Sequence, residues 1–157
     1  MQKIILLLFI SSCSFFSEKN INIDLTIKDG ESYKYDLKNG IYTIYYMDKP
    51  PVEIKFKLTD NEKEMINNKY YEYQLDDLPL KIIITGNYAR EPTIYTSLHI
   101  QRKNVIQDLK IEEGCSEFNM FIQNKARKVN HFIEFVYIIL NSKMEIKNSK
   151  KSNILYL

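Results

Sequence analysis

Several residue types are scarce in this chain. Its 157 residues include no Trp, two Cys, four Gly and four Pro. So few glycines and prolines exclude a collagen-like rod, and a hydrophobic share of 45% excludes a disordered chain. Surplus positive charge is scarce too, since Lys and Arg exceed Asp and Glu by only 22 − 20 = 2. Nucleic-acid binding needs a basic face that neutralises phosphates, so we expect no nucleic-acid partner.

The start of the chain has the three-part order of an export signal. Lys3 precedes an apolar run at residues 4–10, and Ser11, Ser12 and Cys13 follow it. The run is too short for a transmembrane helix, which needs roughly 20 apolar residues. A charged start, a short apolar stretch and small residues before a cleavage point are typical of a secretory signal peptide. We therefore expect residues 1–12 to be absent from the mature protein.

The sequence Ile10-Ser11-Ser12-Cys13 resembles the lipobox of bacterial lipoproteins. The resemblance implies cleavage before Cys13, a diacylglycerol on its thiol and a lipid anchor in the cell envelope, at the outer membrane or the periplasmic face. Two or three acyl chains, each contributing about 0.8 kcal/mol per buried CH₂, hold a protein stably on a membrane. Ile10 and Ser12 are variants of the commoner Leu and of Gly or Ala. The alternatives are a plain secretory signal, or a buried strand at residues 4–10.

A lipid on Cys13 leaves Cys115 as the remaining thiol, so no internal disulfide is expected. We expect Cys115 to be a small buried hydrophobic residue, and the alternatives are an intermolecular disulfide or a nucleophile. No Cys and His spacing suits zinc, and the sequence indicates neither a metal nor a cofactor.

Residues 13–20 are predicted to be a lipidated tether, and residues 21–157 a single domain. Apolar and polar residues alternate from Ile21 to Ile27, which is typical of a strand with one buried face. Asp29-Gly30 and Asn39-Gly40 supply hairpin turn signals. Further strands are predicted at residues 33–37, 41–47, 52–58, 80–85, 94–101 and 105–111, with a short closing strand at residues 154–156.

Two helices are predicted between and after the strands. Thr59 and Glu62 fit a capping box, which predicts a helix over residues 59–74. We expect its inward side chains to be Met65, Ile66, Tyr70 and Tyr73. Apolar residues at offsets of three and four predict a long helix over residues 117–141. The expected fold is α+β, an antiparallel sheet of about six or seven strands with both helices packed on it, its last three strands forming an antiparallel meander.

No motif in the sequence identifies a reaction. The chain lacks HExxH, GxSxG, P-loop and GxGxxG patterns. His99 lies on the polar side of its strand and His131 on the polar side of the long helix, so both are expected to be solvated. The acidic pairs Asp76-Asp77 and Glu112-Glu113 are expected to be solvated turn charges.

Tyrosine is abundant, with twelve copies. Its stiff ring and polar tip suit recognition of proteins or sugars. The predicted recognition surface consists of Tyr42, Tyr45, Tyr46, Tyr70, Tyr71 and Tyr73. The alternative is compositional, because an AT-rich genome also favours Ile, Lys, Asn and Tyr.

A basic cluster lies near the C-terminus. Its members are Lys143, Lys147, Lys150 and Lys151, with Glu145 as the one acid, giving a local charge of +3. Such a cluster suits anionic lipid headgroups, and the alternative is a solvated tail.

The sequence therefore predicts a small lipid-anchored envelope protein whose domain binds a protein partner. A toxin-immunity protein or an accessory subunit of an envelope assembly would fit this description. The alternative is a hydrolase or solute-binding lipoprotein with a site assembled from distant residues such as His99, Asp76 and the tyrosines.

Overall fold

The fold is a seven-stranded mixed sheet with helices on one face, which confirms the predicted α+β class. The computed structural model describes residues 22–85, 94–112 and 120–154, without the side chains of residues 120–123. The elements are β1 (Asp24–Asp29), β2 (Tyr33–Asp36), β3 (Ile41–Ile44), β4 (Val52–Lys55), α1 (Asp60–Glu72), a 3-10 turn (Leu75–Asp77), β5 (Lys81–Ile84), β6 (Tyr95–Arg102), β7 (Val105–Glu112), α2 (Met120–Asn141) and α3 (Met144–Lys147).

The strands lie in the order β4-β3-β2-β1-β6-β7-β5, and every neighbouring pair is antiparallel except β5 with β7. The predicted meander of the last three strands was therefore wrong for β5. A tight turn with Lys103 at φ 47° joins β6 to β7 as expected. Because β6 also pairs with β1, β5 adds to the free edge of β7 instead.

Period-two alternation gives β1 and β6 one buried face each. Leu25 and Ile27 of β1 pair with Ile100 and Leu98 of β6, and all four are at most 1% exposed. The intervening pair of Thr26 and His99 lies on the opposite face, where the His99 side chain is 50% exposed. The core therefore lies between one face of the sheet and the helices.

Helix α1 begins with the predicted capping box. The Thr59 hydroxyl accepts from the Glu62 N–H, and the Glu62 carboxylate accepts from the Thr59 N–H. Ile66 and Tyr70 face the core as predicted, whereas Met65 is 40% exposed and that prediction was wrong. The buried stripe runs through Ile66, Asn67 and Tyr70, and Met65 lies too far around the helix to join it.

Helix α2 contributes the largest apolar stripe, in which Val129, Phe132, Val136 and Leu140 are all 0% exposed. The helix ends at Asn141 as predicted, and its predicted first turn lies outside the described residues. Ile154, the first residue of the predicted closing strand, is not in a strand. The rest of that predicted strand lies outside the described residues, as do Cys13 and Cys115. Within the described ranges, no helix combines the length and apolarity needed to cross a bilayer.

Candidate binding cleft

The six tyrosines of the predicted recognition surface do not share one surface. Tyr42 is 4% exposed and Tyr70 is 0% exposed, so these two rings are almost wholly buried. Tyr42 lies on the inner face of β3, opposite Tyr35 and Ile54 of the neighbouring strands. Tyr70 lies on the inner stripe of α1. The clustering of tyrosines in the sequence therefore did not predict which of their side chains are exposed.

Tyr70 belongs to a buried polar network of the core. Its hydroxyl donates to Gln107 Oε1 at 2.7 Å, and Gln107 Nε2 donates to the Leu75 and Leu78 carbonyls at 2.8 and 3.1 Å. The guanidinium of Arg102 lies 5.2 Å from the ring centroid. Burial raises the pKa of Tyr70 above its usual range. This phenol is neutral and joins α1 to β7, whereas Gln107 itself holds the 3-10 turn to β7.

The other four tyrosines are half-buried, and three have aromatic or cationic neighbours. Tyr71 packs edge-on against Tyr70, and Tyr73 lies 6.0 Å from the His131 ring, centroid to centroid. The Lys49 ammonium lies 3.8 Å from the Tyr46 ring centroid. The Tyr45 carbonyl accepts from the chain's C-terminal segment.

A tyrosine cluster forms the floor of a cleft on the helix side of the sheet. Tyr33 and Tyr35 of β2 face inward on alternate positions, and Tyr42 of β3 pairs with Tyr35. The Tyr35 and Tyr42 rings stack at 4.6 Å with 10° between their planes, and Tyr33 stacks on Tyr42 at 5.9 Å. Tyr137 of α2 packs against Tyr35 at 5.6 Å. Only Tyr42 belonged to the predicted surface, although the period-two spacing of Tyr33 and Tyr35 could have placed them beside it.

The rim of the cleft comes from the C-terminal part of the chain. The cleft has a volume of about 400 Å³. Besides the three floor tyrosines, its lining consists of Asn141, Ile146, Lys147, Ser149, Lys150 and Lys151. Ile146, on the short helix α3, is 6% exposed and holds this segment against the core.

Hydrogen bonds fix the rim to the sheet. The Ser152 N–H donates to the Tyr33 hydroxyl at 3.1 Å, and the Ser152 hydroxyl donates to the Tyr45 carbonyl at 2.6 Å. Asn153 accepts from the Met47 N–H at 3.0 Å and donates to Asp48 at 2.9 Å. The segment that carries the lysines is therefore held in place beside the tyrosine floor.

The floor is neutral and the rim is cationic. Burial, with the neighbouring phenols of Tyr42 and Tyr137, raises the pKa of Tyr35 well above its usual range. Burial also raises the pKa of Tyr42, against the opposing effect of hydrogen bonds with Tyr35 and Ser149. Both phenols keep their protons at neutral pH. Among the described residues of the lining, the positive charge therefore comes from the lysines.

One lysine of the C-terminal basic cluster has a separate role. Lys143 Nζ lies 2.6 Å from a carboxylate oxygen of Glu62, and this pair is mostly shielded from solvent. The cluster predicted from the sequence therefore divides into one structural lysine and the three lysines of the rim.

The distant residues proposed for an enzymatic site are not assembled into one. His99 lies on the open face of the sheet, where its Nδ1 is 2.7 Å from Asp108 Oδ1. The sheet separates His99 from Tyr70, which packs on the inner face. Asp76 and Asp77 are exposed in the 3-10 turn, and His131 is exposed, as expected. Among the described residues, no group of three His, Cys, Asp or Glu side chains could hold a metal ion.

Glu112 differs from its prediction as a solvated charge, because it is only 7% exposed. Strand β7 extends through Glu112, which pairs with Tyr95 in the sheet rather than lying in a turn. Glu113 lies outside the described residues.

A scan of protein-family models and a search of curated proteins found no match to this chain.

Proposed function

We propose that this chain is a lipid-anchored binding module of the bacterial cell envelope, and that the cleft over Tyr33, Tyr35 and Tyr42 binds a protein partner. The cleft is the observation that carries the proposal. It combines a concave shape, an aromatic floor and a few polar groups at its edge. Ligand sites share these properties, and pockets of this kind receive the anchor side chains of protein partners.

The order of residues at the start of the sequence supports the anchor. A charged residue, an apolar run, two serines and Cys13 occur as a lipoprotein signal requires. A tether of residues 13–20 would span at most about 28 Å when fully extended. The domain would then remain close to the membrane that holds the acyl chains.

The position of the cleft suits a partner that approaches from beyond the membrane surface. The chain enters the sheet at Asp24, at the start of β1, whereas Tyr33 pairs with Asp29 at the other end. Five residue steps along a strand cover roughly 17 Å. The Tyr33 end of the cleft therefore lies away from the point where the tether joins the domain.

A toxin and an envelope assembly subunit are both partners of the proposed class. A toxin would be neutralised when its own surface occupies the cleft, whereas an assembly subunit would remain bound in resting cells. Co-expression with candidate toxins separates the two versions, since growth rescue supports only an immunity role.

The anchor is tested with Cys13→Ser. We expect the wild-type chain to partition with membranes after labelling by a palmitate analogue, and the variant to lose both the label and the membrane association. Membrane association of an unlabelled Cys13→Ser chain would contradict the anchor. Mass spectrometry that detects an intact Met1 would contradict it as well.

The cleft is tested with a filling substitution that keeps the lysines. Asn141 is exposed at the end of α2 and lines the cleft, so Asn141→Trp would occupy it. Lys125→Trp, on an exposed position of the same helix, is the matched control. We expect crosslinking and affinity capture from detergent-solubilised membranes to return one stoichiometric partner with the wild type and the control. Retention of that partner by Asn141→Trp would contradict the proposal.

A further inference from the structure

The described lining of the cleft is cationic. Lys147, Lys150 and Lys151 line it, and no Asp or Glu is among the described residues of its lining. A cleft of this charge attracts anions and disfavours cations.

These three lysines are not neutralised by carboxylates of the described part of the chain. Other lysines of that part do form ion pairs, namely Lys28 with Glu31, Lys38 with Asp24, Lys63 with Asp60, Lys69 with Glu72 and Lys143 with Glu62. The described structure contains no such pair for Lys147, Lys150 or Lys151. Among the described residues, no carboxylate therefore competes with an incoming anion for their ammonium groups.

Resting on the proposed function, we infer that the cleft recognises an acidic segment of the partner protein. Carboxylates of the segment pair with the rim lysines, and an aromatic or aliphatic side chain of the same segment packs on the half-buried ring of Tyr33. The lysine ammonium is a point charge on a flexible stem, so it accommodates carboxylates at varied positions. The neutral phenols of the floor add no repulsion to the carboxylates.

The shape of the cleft favours a polypeptide over other anions. A free phosphate ion would use the lysine rim and leave the aromatic floor unused. A bilayer surface is flat, so it would contact the protruding lysines without entering the concavity. A peptide side chain uses both parts of the site, with charge at the rim and ring contact inside.

The probe for this inference is a fluorescently labelled random copolymer of glutamate and tyrosine, added to the detergent-solubilised full-length protein. We expect an increase in anisotropy that weakens as NaCl is raised, because salt screens charges over about 10 Å at 0.1 M. The triple variant K147Q/K150Q/K151Q should bind about tenfold more weakly. The matched control K55Q/K81Q/K110Q removes the same charge from exposed positions on the opposite face of the sheet and should change the affinity less than twofold.

Further binding and competition experiments distinguish an acidic polypeptide segment from other anionic ligands. Polyglutamate should bind more weakly than the copolymer because it lacks rings for the floor. Inorganic phosphate at matched ionic strength should compete no better than chloride. Phosphatidylcholine vesicles containing phosphatidylglycerol should not compete in a way that depends on the three rim lysines. Equal copolymer binding by the rim variant, or competition by phosphate or vesicles through these lysines, would overturn the inference.

The two proposals fail separately. Suppose that Asn141→Trp abolishes capture of the cellular partner, while the wild type does not bind the copolymer. The cleft is then a binding site, and its preference for acidic segments is wrong. Retention of the partner by Asn141→Trp would contradict the proposed function itself, whether or not the copolymer binds.

Discussion

Glu62 and Lys143 join the beginning of α1 to the end of α2. Lys143 Nζ lies 2.7 and 2.6 Å from the two carboxylate oxygens of Glu62. The Lys143 and Glu62 side chains are only 14% and 20% exposed. The same carboxylate accepts the Thr59 N–H at 2.7 Å and so completes the capping box. One acidic side chain therefore caps one helix and holds a second.

We expect Glu62→Gln to lower the free energy of unfolding by about 1–2 kcal/mol, because it weakens the cap and leaves Lys143 without a counter-charge. Urea denaturation followed by circular dichroism measures the loss. The control is Glu64→Gln, an exposed position on the same helix, which should change stability by less than about 0.5 kcal/mol. Equal effects of the two substitutions would contradict this role of Glu62.

The same pair predicts a pH dependence. Burial alone would raise the pKa of Glu62, but its hydrogen bonds with Lys143 and Thr59 outweigh burial and lower the pKa from 4.5. A carboxyl group with a lowered folded-state pKa stabilises the fold above its unfolded pKa, and that contribution is lost as the pH falls through the folded value. The stability difference between wild type and Glu62→Gln should therefore be constant above about pH 5.5 and should shrink below about pH 4.3. A difference that stays constant down to pH 3 would contradict the assignment.

Gly40 is required at the turn between β2 and β3. Its φ is +63°, and a Cβ added there would lie 2.2 Å from the Phe56 carbonyl oxygen. The Phe56 N–H also donates to the Gly40 carbonyl at 2.9 Å, so the two backbones are held close together. Gly40→Ala should cost more than about 2 kcal/mol, the left-handed backbone accounting for about 1–2 kcal/mol and the clash for the rest. Thermal unfolding checks this, and a loss below about 1 kcal/mol would show that the turn relaxes.

Replacing Gln107 should lower the free energy of unfolding more than removing the hydroxyl of its partner Tyr70. Gln107→Leu leaves the Leu75 and Leu78 carbonyls and the Tyr70 hydroxyl without their buried partner, which we expect to cost about 2–4 kcal/mol. Tyr70→Phe removes a single hydroxyl and should cost about 1 kcal/mol. Denaturation of both variants and of the double variant measures their coupling. Full additivity of the two losses would contradict a shared network.

Ser152 should control the mobility of the cleft rim. Ser152→Ala removes the hydroxyl that donates to the Tyr45 carbonyl and to which the Ile154 N–H donates. We expect trypsin to cleave faster after Lys150 and Lys151, which are exposed. Mass spectrometry of limited digests measures the rates, and cleavage after Lys57, exposed on the chain after β4, is the internal reference. An unchanged ratio of the two rates would show that the segment is held by other contacts.

Local signals in the sequence predicted the local structure well. Thr59 and Glu62 marked the start of α1, and the alternation around Leu25 and Ile27 identified the buried face of β1. Both signals act between neighbours in the chain, through caps and side-chain parity. The pairing of β5 with β7 depends on which strand edge remains free after β6 joins β1, and no local pattern contains that information.

The candidate cleft was harder to predict for the same reason. Tyr42 and the rim lysines were both noticed in the sequence, but as parts of two different surfaces. They lie close together because the segment after α2 returns to the sheet. There the Ser152 N–H donates a hydrogen bond to the Tyr33 hydroxyl, although the two residues are 119 positions apart in the sequence. The burial of Tyr42 likewise depends on neighbouring strands and on what covers them.

The pairing of β1 with β6 also governs when the protein can complete its fold. Asp24 lies opposite Gln101, so β1 finds its second neighbour only after most of the chain has been synthesised. Pairings between residues so distant in sequence slow folding, because a long loop must close before the contact forms. Until β6 arrives, one side of β1 presents unpaired backbone groups, which are a template for aggregation. The chain should therefore depend on a holding factor until residues 95–102 are free to pair with β1.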